Sequence, residues 1–213
     1  MNGTLTRALP APPFCEREAL RYAGVRNADE VTRRLLCECF AEIEDVLSYR
    51  VCWRVLTAQD CAAFLHADSL KTALDGCERV LLFGATVGVE LDRRIARYGR
   101  VSPTKALLLQ AIGAERIEAL CDAFCAAFTA ENGVRLKPRF SPGYGDLPLE
   151  AQREVFALLD CPRKIGLTLT DSLQMSPSKS VTAFAGITDE AETAKNNKCA
   201  RCGSIDCAYR STV

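Results

Sequence analysis

Residues 103 to 132 constrain this chain more than any other stretch. Ser102-Pro103 reads as a helix start with proline at the first helical position, and Asn132-Gly133 reads as a stop. The run between them predicts the longest helix of the protein, which must bury one apolar side against other elements. At 100° per residue, Lys105, Glu115, Arg116, Glu118 and Asp122 fall on one charged arc. The apolar face carries Leu107, Ile117, Cys121 and Phe128, with Glu118 at its border, a place for a half-buried carboxylate.

Around this helix the pattern is mixed. Helical periodicity runs from Cys15 to Tyr49, through Val31, Leu35, Leu36, Cys39, Phe40, Ile43 and Leu47, with Asn27 and Asp29 as caps. The alternating YRVCWRVLTA reads as a strand, Ser69 to Cys77 as a helix, and RVLLFGAT as a strongly apolar strand leading into a helix through Leu91. Beyond Gly133 come a strand-like VRLKPRFS, a turn at Pro142-Gly143-Tyr144-Gly145, a helix from Pro148 to about Asp160, and strands in IGLTLTDSL and SVTAFAGIT. Helices and strands do not alternate cleanly, so an α+β fold with a largely antiparallel sheet is expected. The domain reading is a Pro-rich arm over 1–14, one domain over 15–188, and a polar linker with a Cys-rich tail over 189–213.

Composition narrows the partners. The chain has 213 residues, and 27 Lys+Arg offset 27 Asp+Glu, so neither nucleic acid nor an acidic membrane surface is an expected partner. The apolar run from Val80 to Val89 is too short for a membrane span, and MNGTLTRALPAPPF lacks signal-peptide character. A cytoplasmic protein is expected. In that reducing compartment, most of the twelve cysteines, Cys37, Cys121 and Cys125 among them, read as small buried hydrophobes. The single histidine, His66, cannot build a histidine-rich metal site and reads as a core or rim residue.

Two glycine-rich segments are candidates for chemistry. Gly84-Ala85-Thr86-Val87-Gly88 lacks the G-x-G-x-x-G spacing and an acidic partner strand, so a tight strand-to-helix turn is expected over a nucleotide loop. Arg139-Phe140-Ser141-Pro142-Gly143-Tyr144-Gly145-Asp146 is stronger. A Gly- and Pro-rich turn leaves amides for a ligand, its arginine suits a carboxylate and its tyrosine suits stacking. Together they fit a small zwitterion with an aromatic part.

RFSPGYGDLPLEAQREVFALLD followed by IGLTLTDSLQMSPSKSVTAFAGI resembles the activation domain of cobalamin-dependent methionine synthase. FGATVGVELDRRI and ALLLQAIGAERIEAL resemble it in the same order, so the similarity spans about residues 75 to 188. The resemblance implies long helices on a twisted, largely antiparallel sheet, binding S-adenosyl-L-methionine (AdoMet). It implies Glu118, Arg139, Ser141, Gly143 and Tyr144 as AdoMet-site residues, with the backbone of Ser141 and Gly143 meeting the ligand. It further implies reductive methylation of cob(II)alamin in methionine biosynthesis, with an electron from a low-potential donor such as a flavoprotein. The family's tyrosine-phenylalanine pair falls on Ala185 and Gly186, which lack the side chains for those adenosine contacts. The D-x-H-x-x-G cobalamin signature is missing, because Phe64 stands where the aspartate precedes His66. Cobalamin is therefore expected on a partner, a methionine synthase without its own activation domain. The alternatives are a corrinoid-protein regulatory module without AdoMet chemistry and a small-molecule AdoMet methyltransferase. Separately from the resemblance, Cys199, Cys202 and Cys207 have spacings suited to zinc or an iron–sulfur cluster, with Asp206, Cys161, another cysteine or an external ligand completing the set.

Overall fold

The computed structural model describes residues 3–57 and 59–188. Its frame is a sheet of five strands in the order β1-β2-β3-β7-β4, antiparallel at every pairing. These are β1 Leu5–Ala8, β2 Arg50–Thr57, β3 Arg79–Thr86, β4 Arg135–Leu136 and β7 Ser180–Thr188. A separate ribbon pairs β5 Thr168–Leu169 with β6 Met175–Ser176. Seven helices occur among the described residues: α1 Glu16–Tyr22, α2 Glu30–Ala41, α3 Asp68–Leu74, α4 Glu90–Val101, α5 Pro103–Asn132, α6 Gln152–Leu159 and α7 Cys161–Ile165. The fold is α+β.

Strands β3 and β7 are buried along nearly their whole length, which forces helices onto both faces of the sheet. Alternation along β3 assigns the residues to two cores. Leu81, Phe83 and Ala85 join one, under α1, α2, α4 and α5. Val80 and Leu82 join the other, under α3, α6 and α7. Gly84 lies inside β3 rather than in a turn, where an added Cβ would meet Cys161 Sγ at 3.3 Å and Cys52 Sγ at 3.5 Å. Only Val87 and Gly88 of the segment belong to the short connection to α4, where Gly88 donates its N–H to Thr86 Oγ1, so the predicted strand-to-helix turn starts three residues later than the spacing suggested.

Helix α5 runs for 30 residues and stops at Gly133, whose φ of 64° is the left-handed conformation that glycine adopts without a Cβ penalty. Its charges do not share one exposed arc. Glu115 and Arg116 are buried, Lys105 pairs with Glu42 at 2.6 Å, and Glu118 and Asp122 face Arg139. Leu107, placed on the apolar face by the wheel, is exposed. The cause is the N-terminal segment, which covers the helix from outside. Arg116 is 0% exposed and donates to the carbonyls of Pro12 at 2.6 Å and Pro13 at 2.7 Å, and to the Glu115 carboxylate. The guanidinium also lies beside the stacked rings of Phe14 and Phe40. Cys15 N–H donates to Glu115 Oε1. The expected arm is therefore docked on the domain, with Leu5–Ala8 as an edge strand along β2.

Other differences have local causes. The segment VRLKPRFS yields only two strand residues plus a bridge from Phe140 to Phe184, because Pro138 has no N–H to offer the ladder. From IGLTLTDSL only β5 forms. Asp29 does cap α2, accepting from the Thr32 N–H at 2.8 Å. Cys37 is exposed, not packed, because α2 turns Leu36 and Cys39 inward and leaves position 37 on the outer side. Cys121 is buried and Cys125 partly so.

Candidate functional site

A cavity of about 260 Å³ opens where α5, from the first layer, meets residues 139–152 and the start of β7. Its lining includes Glu118, Arg139, Ser141, Tyr144, Gln152 and Thr182. Arg139 is placed by its neighbour. Phe140 exchanges two backbone hydrogen bonds with Phe184 of β7, each 2.8 Å, and packs against the second core. Strand alternation then sends Arg139 the other way, towards α5.

There the guanidinium is held by two carboxylates one helical turn apart. Nη1 donates to Asp122 Oδ1 at 2.6 Å and Nη2 to Glu118 Oε2 at 2.7 Å. The Arg139 side chain is only 17% exposed. Burial works against its charge, yet the neighbouring Asp122 and Glu118 carboxylates outweigh that penalty and hold its pKa above the ordinary arginine value. The thiol of Cys121, against the same guanidinium, is pushed up by burial and stays protonated at neutral pH. Burial, then the Glu118 charge, likewise raises the Tyr22 phenol. Of the two carboxylates Glu118 lines the cavity with Arg139, whereas Asp122, 74% exposed, lies outside the lining, so the surplus negative charge surrounds the guanidinium rather than forming the cavity wall.

The turn after Arg139 is braced from within. Gly143 N–H donates to the Leu147 carbonyl at 2.9 Å, and Tyr144 N–H to the Ser141 carbonyl at 3.1 Å. Both amides are thus engaged within the turn. Gly145 has φ 57°, and a Cβ there would lie 2.3 Å from Ser69 Oγ. Asp146 then accepts from the N–H groups of Asp68 at 2.8 Å and Ser69 at 3.0 Å, tying the turn to α3. Tyr144, 55% exposed, sits edge-on to Phe140 at the rim.

The structure thus brings Glu118, Arg139, Ser141 and Tyr144 around one cavity and leaves Gly143 beside it. Ala185 and Gly186 lie away from the lining. Ala185 is buried in the first core, and an added Cβ on Gly186 would lie 2.5 Å from Cys77 Sγ. Sequence reasoning named Asp122 only as an arc residue and missed Gln152 and Thr182. Gln152 was findable, because it precedes Val155, Phe156 and Leu159 at i+3, i+4 and i+7, a polar residue heading an apolar stripe. His66 is an exposed rim residue with Nδ1 2.9 Å from the Ala63 carbonyl, outside the cavity lining. Cys199, Cys202, Asp206 and Cys207 lie outside the described residues. Cys161 is buried beside Cys52, with the sulfurs 3.9 Å apart. Among the described residues, no helix is long and apolar enough to cross a membrane, and no group of three or more His, Cys, Asp or Glu is arranged to hold a metal ion.

Comparison with known proteins adds two findings. Residues 132–211, fewer than half of the chain, match the family described as vitamin B12 dependent methionine synthase, activation domain. That match takes in the Arg139 turn, α6 and β7, and continues into the cysteine-rich tail. The crystal structure of the MetH reactivation domain bound to AdoHcy (S-adenosyl-L-homocysteine) superposes with a TM-score of 0.62. The superposition covers 89% of this chain and 80% of that one at 14% identity, a likeness of fold. No curated protein matches the sequence significantly. In sequence over residues 132–211, and in fold over most of its length, the chain resembles the activation domain of vitamin B12-dependent methionine synthase.

Proposed function

We propose that this chain binds AdoMet in the cavity at Arg139 and acts as an accessory protein. In that role it reactivates cob(II)alamin on a separate cobalamin-dependent methionine synthase, or a related corrinoid protein, by supporting reductive methylation. The observation that carries this reading is Arg139 held between Glu118 and Asp122 on the wall of a cavity with apolar sides. A guanidinium has five N–H donors, so Arg139 keeps some for a ligand carboxylate beyond the two it gives its carboxylate partners. The surplus negative charge beside it suits an ammonium and a sulfonium. AdoMet carries all three groups.

The cavity volume also supports the reading. At about 260 Å³ it falls below the range of roughly 300–1,000 Å³ that engulfs a drug-sized ligand. Part of the ligand stays reachable from outside, as an acceptor on another protein requires. AdoMet supplies an electrophilic methyl group on a positively charged sulfur. The chain's own part is to hold and orient: Arg139 grips the carboxylate, Glu118 faces the positive groups, Asp122 braces the guanidinium, and Tyr144 lines the open rim. No residue is needed as a general base. The proposed partners are a methionine synthase lacking an activation domain and a low-potential electron donor such as a flavoprotein, in the cytoplasm.

The test mixes the protein, AdoMet, a low-potential reductant and the partner in its cob(II)alamin state, and follows the visible spectrum. Methylcobalamin appearing only with both the protein and AdoMet is the expected result. Persistent cob(II)alamin refutes the reactivation role.

A further inference from the structure

The carboxamide of Gln152 lines the cavity, yet the rest of the molecule uses only half of it. Gln152 opens α6 and is 3% exposed. Its Oε1 accepts from Thr182 Oγ1 at 2.7 Å, whereas no described residue accepts from its NH2 group. Among the described residues the fully buried side-chain atom without a partner is Arg54 Nε, so the Gln152 NH2 group is not sealed in but opens onto the cavity, where a ligand can accept from it. The walls near them are apolar, with Pro142, Leu149, Met175 and Val181 all on the lining. The second lone pair of Oε1 stays available, so the carboxamide offers a donor and an acceptor side by side.

We propose that Gln152 reads the adenine base of the ligand, accepting from the exocyclic amino group and donating to the adjacent ring nitrogen. A flat heteroaromatic ring fits between apolar walls, and an acceptor next to an amino donor is the edge that a carboxamide pairs with bidentately. The proposal rests on the reading of this cavity as an AdoMet site and goes beyond it by assigning base selectivity to one side chain. It also supplies adenosine contacts that Ala185 and Gly186 do not, since neither lines the cavity. Thr182, donating into Oε1, keeps the NH2 end turned towards the ligand.

The test is calorimetric titration of the full chain with AdoHcy and with S-inosyl-L-homocysteine. In the latter a carbonyl replaces the amino group, so donor and acceptor no longer match. AdoHcy binding at least about tenfold tighter is expected. The Gln152→Met variant, checked by circular dichroism, is expected to bind AdoHcy more weakly and to close the gap between the two ligands. Equal binding of both ligands by the wild-type chain overturns the inference and leaves the nucleoside site standing. An unchanged gap in a folded Gln152→Met variant overturns it as well. Failure of both ligands to bind the wild-type chain overturns the AdoMet reading, and this inference with it.

Discussion

Replacing Arg139 with methionine separates the two roles assigned to the charged wall of the cavity. The guanidinium is nearly buried and donates to Glu118 and Asp122 at 2.7 and 2.6 Å. Its loss leaves two carboxylates one turn apart on α5, a like-charge pair that costs only about 0.2–0.5 kcal/mol where water reaches it. Both carboxylates are well exposed, at 44% and 74%, so the variant should fold. Binding is affected far more. A hydrogen bond to a charged group is worth about 1.5–3 kcal/mol, so AdoHcy affinity should fall about 10- to 150-fold as the ligand carboxylate loses its partner.

AdoMet should suffer less than AdoHcy. Its sulfonium charge now meets two unopposed carboxylates, an attraction on the order of 1 kcal/mol at about 8 Å with an effective dielectric near 40. At low ionic strength the AdoMet-to-AdoHcy affinity ratio should therefore rise by about fivefold, and about 0.3 M salt should erase most of that gain. Calorimetry with both ligands at two salt concentrations reads each quantity directly. Unchanged AdoHcy affinity in Arg139→Met would remove Arg139 from the site. A ratio that falls, or that ignores salt, would refute the electrostatic account of Glu118 and Asp122.

Three further outcomes follow from the geometry. Glu115→Ala strands the fully buried Arg116 guanidinium and should cost about 3–5 kcal/mol in urea unfolding, with faster tryptic cleavage at Arg7 as the arm loosens. Glu115→Leu combined with Arg116→Met should recover only part, because the Pro12 and Pro13 carbonyls still lose their donor. The Glu42 carboxyl is held below its ordinary pKa by Lys105 and then by the Tyr98 hydroxyl, so its stabilisation is full above about pH 4.5 and is lost as pH falls through the folded-state value. Glu42→Gln should therefore lower the melting temperature slightly at pH 7, with the gap closing in acid. Gly186→Ala drives a Cβ into Cys77 Sγ and should cost about 1–3 kcal/mol in chemical denaturation, partly recovered by Cys77→Ala.

How much of this was legible depended on whether the signal was local. Proline and glycine punctuation located both ends of α5, and apolar runs located β2, β3 and β7, because each element carries its own pattern. The helical wheel failed at Glu115 and Arg116. Their partners are carbonyls of Pro12 and Pro13, and backbone acceptors leave no trace in a side-chain pattern. Strand β1 was hidden for a related reason, since an edge strand with mostly exposed residues has no apolar alternation to read. At the site, Arg139 and Tyr144 stood out because a Gly-Pro turn frames them. The pairing of Arg139 with Asp122 spans 17 positions and depends on Phe140 bridging to β7, which only the folded chain displays.

The two-sided burial of the sheet has a consequence for how ligand and stability are linked. Glu118 and Asp122 ride on a helix of one layer, whereas Gln152 rides on a helix of the other, with β7 between them. A molecule in the cavity therefore spans a seam between two cores and acts as a staple across it. Its binding free energy adds to whatever holds the layers in register, by RT ln(1 + [L]/Kd). Saturating ligand should then raise the unfolding midpoint of variants weakened in either core, even where no contacting residue is altered.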